Sequence, residues 1–311
     1  MKILIVGGAG YIGGYLADLL SKKHDVTVLD SLLYEDKYLK KIKFINADIR
    51  NQNLMKKIIN KYQIIIWLAA LVGDGACSIN KKLTYKINTT TVKWLSKNCK
   101  KGKIIFTSTC SVYGKRDGLI DENTEPNPLS DYAKSKLKAE KYIINRNKNF
   151  LIFRLGTLFG VGDEFSRLRL DLVANILTTR SAMGQKLTVF GGNQWRPLLH
   201  VKDVAYAIDY FIKKQICGIY NLSYKNFKIY DLAVEIKKIN RDTKIKKISQ
   251  KFEDERNYRV SKKFLQKTGW KSKKTLRDGI KEIFDLINNN RIKDVENENY
   301  YNHKYLVNKI L

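Results

Sequence analysis

The sequence is poor in cysteine, histidine and long apolar runs, and each shortage excludes a class of protein. The four cysteines of the 311-residue chain are scattered and include no Cys-x-x-Cys pair, so neither a disulfide framework nor a zinc site is expected. The three histidines are too dispersed for a metal cluster. The longest apolar run, residues 64–72, is about half of a bilayer-spanning helix. The apolar start is too short for a signal peptide, so we expect a cytoplasmic protein with no membrane partner.

Acidic side chains are also scarce, with 30 Asp and Glu against 59 Lys and Arg and a formal net charge of +29. A nucleic-acid-binding protein would gather its basic residues on one face, with aromatic residues beside them. Here the lysines occur along nearly the whole chain, which indicates a general compositional bias, and no nucleic-acid partner is expected. The positive field would still favour an anionic substrate.

The first half of the chain alternates short apolar runs with helix-like stretches, which is typical of a parallel sheet covered by helices. This pattern predicts an α/β fold: a Rossmann-type doubly wound parallel sheet with a smaller C-terminal α/β substrate region. We assign residues 1–156 to the first domain, 157–288 to the substrate-binding region and 289–311 to a polar C-terminal tail. Strands are predicted over residues 2–6, 25–29, 43–45, 64–68, 103–107, 150–154 and 218–222, the last rejoining the main sheet. Helices are predicted over residues 11–22, 51–60, 83–98, 130–147, 170–179, 230–238 and 276–288.

Three glycines, Gly7, Gly10 and Gly13, follow the first strand directly and open the first helix. Glycines at this spacing give a tight turn, let backbone N–H groups approach a pyrophosphate and pack the helix on the sheet. Asp30 ends the second strand, and an acid there accepts both hydroxyls of an adenosine ribose and repels a 2′-phosphate. The sequence therefore predicts NAD rather than NADP as cofactor, with Asp48, after the third strand, as a candidate acceptor for the adenine amino group.

Tyr132 and Lys136 are four residues apart on a predicted helix, so both side chains face the same way. An ammonium near a phenol favours the phenolate and lowers its pKa towards neutral pH. A Tyr-x-x-x-Lys pair alone is as consistent with a solvated helix face. This pair, however, follows a hydroxyl-rich turn, residues 106–114, at the carboxyl edge of the fifth strand, where such sheets bind ligands. The position favours a catalytic pair.

These features resemble the extended short-chain dehydrogenase/reductase superfamily, in its nucleotide-sugar epimerase and dehydratase branch, over residues 1–287. The resemblance implies that Tyr132 is the base that takes a sugar hydroxyl proton, that Thr109 hydrogen-bonds the reacting oxygen, and that Lys136 holds the nicotinamide ribose. It further implies a cofactor channel formed by Gly7, Gly10, Tyr11, Ile12, Gly13, Asp30, Asp48, Ile49, Leu68, Ala69, Ala70, Thr107, Tyr132 and Lys136. A homodimer, formed through the helix of Tyr132 and the long helix before it, is also implied.

Two departures from the pattern of this branch narrow the chemistry. Its sugar 4,6-dehydratases carry Asp-Glu directly after the catalytic Thr, where this chain has Cys110 and Ser111. Its epimerase-reductases place a reactive Cys where this chain has Ser111, so Cys110 is interpreted as a buried structural thiol. The remaining chemistry is oxidation of a sugar hydroxyl, most simply at C4, by a 4-epimerase or a C4 dehydrogenase. The alternative is a non-catalytic NAD-binding sensor or scaffold of the same fold.

The resemblance also implies which residues bind the substrate, a nucleotide-diphosphate sugar. Arg196 and Arg256 match arginines that grip the diphosphate, although each is also open to pairing with a local carboxylate. Thr157 stands where the common 4-epimerases have Asn. Arg169, in a loop that is similar to a subgroup containing a GDP-heptose C4 oxidase of capsule synthesis, is a further candidate, unless it belongs to an exposed edge. His200 is interpreted as structural, and the sugar and the nucleotide base stay open.

Overall fold

The structure, a computed structural model, describes residues 1–146, 149–249 and 256–310. Its strands are β1 Lys2–Val6, β2 Asp25–Asp30, β3 Lys43–Asn46, β4 Ile64–Trp67, β5 Lys103–Thr109, β6 Lys115–Ile120, β7 Phe150–Leu155, β8 Thr157–Phe159, β9 Leu187–Phe190, β10 Trp195–His200, β11 Gly218–Leu222, β12 Lys225–Lys228, β13 Ile245–Ile248 and β14 Asn257–Val260. Its α-helices are α1 Gly13–Ser21, α2 Gln52–Ile58, α3 Asp74–Ile79, α4 Lys81–Tyr85, α5 Thr91–Asn98, α6 Asp131–Ile144, α7 Val173–Ala182, α8 Val201–Lys213, α9 Ile229–Ile239, α10 Lys263–Lys267, α11 Leu276–Asn288 and α12 Asn302–Ile310.

The main sheet has seven strands in the order β11-β7-β5-β4-β1-β2-β3, and all of its pairs are parallel. Strands such as β4 are buried along their whole length because helices cover both faces. The chain runs from β1 out to β3 and then returns to β4 on the other side of β1. The strand order therefore reverses between β1 and β4, and a crevice opens there at the carboxyl ends of the strands. This confirms the predicted Rossmann-type α/β fold.

The predicted strands of the main sheet are all present, and β11 rejoins it beside β7. The prediction of one continuous helix over residues 83–98 is wrong. A π-helical turn, Lys86–Thr90, separates α4 from α5. The wider turn directs the buried Asn88 inwards, where its amide accepts from Leu71 N at 2.8 Å and donates to Leu71 O at 2.9 Å. The predicted end of the next helix, residue 147, lies outside the described residues.

The second half builds a smaller body over the carboxyl edge of the main sheet. Strands β12, β10 and β8 form its three-stranded sheet, and α7, α9 and α11 pack around a separate apolar core that includes Leu187, Leu198 and Leu232. Beyond α11 the C-terminal segment, residues 289–310, folds back on the protein, and α12 buries Leu306 against α3. Among the described residues, no helix is both long and apolar enough to cross a bilayer.

A buried ion pair lies beneath the carboxyl edge of the sheet. Arg154 on β7 donates from Nη2 to Glu140 Oε2 on α6 at 2.7 Å, and the hydroxyl of Ser108 donates to the other carboxylate oxygen. Arg154 also donates from Nη1 to the hydroxyl of Tyr113 at 2.8 Å. These contacts satisfy the two buried charges and tie α6 to the strands beside it.

The Glu140→Gln variant is expected to lose about 3–5 kcal/mol of unfolding free energy, because it leaves the Arg154 guanidinium buried without a countercharge. The matched control is Glu235→Gln, which removes one partner of an exposed pair with Lys238 and should cost less than about 1 kcal/mol. Urea denaturation of both variants measures the difference. Equal losses in the two variants would show that the buried pair is not structurally important.

Candidate active site

A groove of about 1640 Å³ lies at the carboxyl ends of the main-sheet strands, between the sheet and the smaller body. Every residue that the sequence singles out for cofactor, substrate or catalysis lines it. The structure therefore brings together side chains that are far apart in the chain, from Gly7 to Arg256. Each of their roles remains a prediction.

The glycine loop forms the floor of the groove beside the start of α1. Gly7 has a φ of +83°, and a Cβ at this position would lie 2.5 Å from Ala69 N, so only glycine fits. A Cβ on Gly13 would lie 2.5 Å from Gly8 Cα, which is why α1 can pack so close to the loop. Around Gly10, by contrast, a Cβ would meet only Gly7 O, at 3.4 Å. The loop is thus tight against the protein and open towards the groove, as a backbone cradle for a phosphate group requires.

Asp30 lies at the end of β2 and is held by the glycine loop. Its Oδ2 accepts from Ala9 N at 3.0 Å and its Oδ1 accepts from Leu32 N at 2.9 Å. Burial raises the pKa of Asp30 from its ordinary value, while these backbone hydrogen bonds act in the opposite direction. The carboxylate is therefore fixed in orientation at the groove wall.

Asp48 has a partner that the sequence analysis missed. Arg50 Nη2 lies 2.5 Å from Asp48 Oδ2, and Arg50 N donates to Oδ1 at 2.7 Å. The hydrogen bonds from the Arg50 side chain lower the pKa of Asp48. The two residues act as one unit at this end of the groove, so an adenine amino group would meet a carboxylate that Arg50 already engages.

Tyr132, in the first turn of α6, and Thr109, at the end of β5, both line the groove, and Thr109 is near enough to lower the pKa of the Tyr132 phenol. Burial raises the pKa of Tyr132, and Cys77 and Asp74 act in the same direction. The Arg169 charge and the Thr109 hydroxyl act in the opposite direction. In the protein alone, therefore, burial outweighs the groups that lower this pKa.

Lys136 lies one helical turn further along α6 and is 2% exposed. Its Nζ is 4.2 Å from the centroid of the Phe106 ring, and burial lowers the pKa of Lys136 to about 7. The same residue type on the protein surface would be fully charged at neutral pH. The site thus holds a lysine whose charged form is disfavoured by burial.

The residues that follow Thr109 are occupied by structural contacts. Cys110 is buried, its Sγ donates to Arg154 O at 3.1 Å, and burial raises the pKa of the thiol. This geometry agrees with its interpretation as a structural thiol. Ser111 Oγ lies 3.3 Å from the Tyr258 hydroxyl and accepts from Arg256 Nη1 at 3.2 Å.

The arginines predicted for the substrate end are paired as well as exposed to the groove. Arg256 Nη1 lies 2.8 Å from Asp74 Oδ2, and Arg169 forms two hydrogen bonds of 2.9 Å with Asp171. The sequence left a carboxylate partner open for Arg256, and one is present, although Asp74 is distant in the chain. The Arg169 side chain is only 11% exposed, so it does not belong to an exposed edge. Arg196 is buried and donates from Nη1 to the carbonyls of Trp195 and Arg256.

Two further predicted positions have mainly structural contacts. His200 is the N-cap of α8, where Nδ1 accepts from Lys202 N at 3.1 Å, and its Nε2 lies 2.8 Å from Glu282 Oε2. This is the structural role expected for it. Thr157 begins β8 and pairs with Leu198 in the neighbouring strand, with its side chain half-buried at the groove.

Three comparisons with known proteins describe what the chain is similar to. It matches the family model of the NAD dependent epimerase/dehydratase family over residues 3–223. A protein of Methanocaldococcus jannaschii, provisionally named UDP-glucose 4-epimerase, is 31% identical over 93% of this chain and 99% of its own length. The dTDP-D-glucose 4,6-dehydratase of Dictyostelium discoideum is 31% identical over 77% of this chain and 62% of its own length. The solved UDP-glucuronic acid 4-epimerase of Bacillus cereus, in complex with UDP-glucuronic acid and NAD, is 26% identical, with a TM-score of 0.78 over 93% of this chain and 99% of that one.

The matched region contains the glycine loop, Asp30, Thr109, Tyr132 and Lys136, which are the residues that the structure gathers in the groove. The relative from Methanocaldococcus extends the similarity over nearly the whole chain. The resemblance found in the sequence is therefore confirmed. This chain belongs to the NAD-dependent epimerase/dehydratase family, and NAD is its cofactor.

Proposed function

We propose that this protein oxidises a hydroxyl group of a nucleotide-linked sugar, at C4, as a 4-epimerase or a C4 dehydrogenase. The observation that supports this most is that Tyr132, Thr109 and Lys136 all line the wall of one groove, together with the glycine loop. A proton acceptor and a hydroxyl group that could hold the same substrate oxygen are therefore available in one wall of the groove. A protein that only binds the dinucleotide has no use for this pair.

The residues of the groove fit NAD. The loop at Gly7 leaves no room for a side chain, the start of α1 faces the groove, and Asp30 stands where the adenosine ribose would lie. When bound, oxidised NAD supplies the hydride acceptor and a positive charge. Gly7, Gly10 and Gly13 would hold its pyrophosphate, and Lys136 its nicotinamide ribose.

The chain's own residues would then act on the sugar hydroxyl. Thr109 holds the reacting oxygen by a hydrogen bond, and Tyr132 Oη takes the hydroxyl proton as the C–H bond at the same carbon breaks. Because burial raises the pKa of Tyr132, the base needs positive charge nearby in order to ionise. Arg169, whose charge lowers the pKa of Tyr132, and Lys136 in its charged form are cations of the groove that can provide it.

We propose further that the enzyme is not a 4,6-dehydratase, although one such enzyme is among its relatives. Loss of water needs an acid and a base beside the catalytic Thr, and here these positions hold Cys110 and Ser111. The pKa of Cys110 is raised by burial, so the thiol cannot exchange a proton readily at neutral pH. Ser111 has the ordinary weak acidity of a hydroxyl and is already bonded to Arg256.

For the substrate we propose a nucleoside diphosphate sugar. Arg196 and Arg256 lie close together at the groove, and the fork of a guanidinium matches the oxygens of a diphosphate. Arg169 lies nearer the catalytic pair, since its charge acts on Tyr132, and would contact the sugar. Thr157, also at the groove wall, is the second candidate for a contact with the sugar.

Incubation of the purified protein and NAD with a panel of UDP-, GDP- and dTDP-sugars tests this proposal, with products read by mass spectrometry and NMR. An unchanged mass with an inverted C4 centre indicates a 4-epimerase, and a loss of two hydrogens indicates a C4 dehydrogenase. A loss of water would contradict the exclusion of dehydration. NAD binding without turnover of any sugar in the panel would instead support a sensor or scaffold.

We also propose a homodimer formed through α6 and the helices before it, as the family resemblance implies. Tyr85 on α4 and Ile144 on α6 are large apolar side chains that are 38% and 39% exposed. An interface in this region would cover such residues. Light scattering of the NAD-bound protein should give twice the mass of one chain.

The Asp30→Asn variant is expected to bind NAD about tenfold more weakly, because the amide can no longer accept from both ribose hydroxyls. Its affinity for NADP should change in the opposite direction, since the charge that repels the 2′-phosphate is gone. Titration with both dinucleotides measures the ratio. The exposed Asp36→Asn variant removes the same charge nearby and should leave both affinities unchanged; an equal effect in the two variants would contradict the assignment.

A further inference from the structure

Arg167 is a buried cation of the groove to which the proposed chemistry gives no role. Its side chain is 6% exposed, and the residue lines the groove. A buried charge is costly unless an opposite charge compensates for it. Across the described ranges of the chain, however, no carboxylate lies within salt-bridge distance of Arg167.

The neighbours of Arg167 explain why it remains unpaired. The nearby carboxylate of Asp171 is engaged by Arg169 and also accepts from Asn302 N at 3.0 Å. Glu35 attracts the guanidinium only at longer range. Burial, with the like charge of Arg169, lowers the pKa of Arg167 to about 10, and at neutral pH the side chain is still charged. The groove wall therefore carries an uncompensated positive charge.

The guanidinium is held rigidly by neutral groups. Its plane lies over the ring of Tyr34, 3.7 Å from the centroid, and Nε and Nη2 both donate to Asn299 O, at 3.2 and 2.8 Å. A guanidinium has five N–H donors. The contacts found in the described residues thus leave Nη1 without a protein acceptor, on a side chain that is already fixed in place.

The C-terminal segment supplies this support. Besides Asn299 O, it offers Tyr300 O, which accepts from Leu170 N at 3.1 Å, and the Tyr305 hydroxyl, which donates to Leu33 O at 2.5 Å. The segment therefore bridges the loop that carries Arg167 and the loop that follows Asp30. It fixes the guanidinium where the two loops meet.

The position of Arg167 indicates what it would bind. The preceding residue, Ser166, packs against the start of α1, since its Cα lies 3.0 Å from where a Cβ on Gly14 would be. Tyr34, under the guanidinium, is four residues beyond Asp30. Arg167 thus lies between the helix start that favours a pyrophosphate and the carboxylate that favours the adenosine ribose.

We propose that Arg167 binds the pyrophosphate of NAD, together with the glycine loop. A diphosphate is also present in the proposed substrate, but Arg196 and Arg256 lie at that end of the groove. The placement beside α1 and Tyr34 favours the dinucleotide. Bound pyrophosphate would compensate the buried charge and give Nη1 an acceptor.

Binding of ligands to nucleotide-free protein tests this assignment without any need for turnover. The Arg167→Gln variant should bind NAD and ADP at least about tenfold more weakly, and adenosine, which has no phosphate, with unchanged affinity. The Arg167→Lys variant keeps the charge without the fork and should recover part of the loss. Arg241→Gln removes an equal charge from an exposed site and should bind all three ligands as the parent does.

The outcomes separate the possible roles. Circular dichroism and the melting temperature establish that each variant is folded. NAD affinity of folded Arg167→Gln within twofold of the parent would overturn the proposal, as would equal losses in the Gln and Lys variants. Weaker binding of UDP, GDP or dTDP with unchanged binding of NAD would also overturn it, because Arg167 would then serve the substrate.

Discussion

Replacing Tyr132 with phenylalanine is expected to lower kcat by about 10²- to 10⁴-fold, the usual contribution of a positioned base. The substitution removes only the phenol hydroxyl and keeps the ring that packs at the start of α6. Affinity for NAD should change little, since the phenol is assigned to the sugar. The loss should therefore appear in kcat and not in cofactor binding.

Steady-state kinetics with the nucleotide sugar identified from the panel, together with an NAD titration, measure both quantities. Tyr142→Phe is the matched control, because Tyr142 lies on the same helix, outside the groove. This control should keep the turnover of the parent. Turnover by Tyr132→Phe at the parental rate would contradict the assignment of Tyr132 as base.

The second large effect is expected for Lys136→Met, which should abolish most turnover and yet stabilise the nucleotide-free protein at neutral pH. Burial lowers the pKa of Lys136 from its ordinary value of 10.5 to about 7. Methionine has a similar length, lacks the charge and can pack against Phe106. The variant therefore avoids the desolvation penalty of a buried ammonium group. A residue that is needed for activity but lowers the unfolding free energy is expected at a functional site.

The pH dependence follows from the direction of this shift. Between about pH 7 and about pH 10 the unfolded chain keeps a proton on Lys136 that the folded protein has lost. The unfolding free energy of the parent should therefore rise with pH by about 1.4 kcal/mol per unit over this window, relative to the Met variant. Below about pH 7 both states bind the proton, so the full cost of burying the charge remains in the parent.

Urea denaturation of both nucleotide-free proteins from pH 6 to pH 10 measures this difference. Exposed Lys134→Met, on the same helix, is the control and should show no such relative slope. A parent that is more stable than Lys136→Met at pH 6, with no change in the difference up to pH 10, would show that Lys136 is not held in a desolvated site.

Much of the fold and of the site could be predicted because the signals are local in the sequence. The glycine loop is predicted from three positions that must lack a side chain. At Gly7 the structure agrees, because a Cβ there would clash with the backbone of Ala69. Asp30 and Thr109 follow from their place at strand ends, since parallel strands bring their carboxyl ends to one edge. The four-residue spacing of Tyr132 and Lys136 follows from helix geometry.

The features that the sequence did not predict depend on contacts between distant segments. The π-helical turn before α5 has no signature in apolar spacing, because it serves the contact of Asn88 with Leu71. The pairing of Arg256 with Asp74 joins residues far apart in the chain. The direction of the pKa shift of Tyr132 also depends on burial, which the sequence does not show.

The folded C-terminal segment is a further example. Its residues are mostly polar, so composition indicates a tail, but main-chain groups from Asn299 to Asn302 bind the loop of Arg167 and Asp171. Backbone hydrogen bonds of this kind carry no residue-type signal. Because the hydrogen bonds that hold Arg167 go to a main-chain group of this kind, the sequence alone did not indicate a function for it, although it is two residues from the predicted substrate contact Arg169.

The central claim, that Tyr132 and Thr109 direct oxidation at C4 of a nucleotide sugar, is tested most directly with a substrate carrying deuterium at C4. The account predicts that the label is retained at C4 of an inverted product, or passes to the dinucleotide with a ketone left behind. It also predicts that Tyr132→Phe does neither. A label that reaches solvent or C6, or a product lighter by one water, would contradict the account.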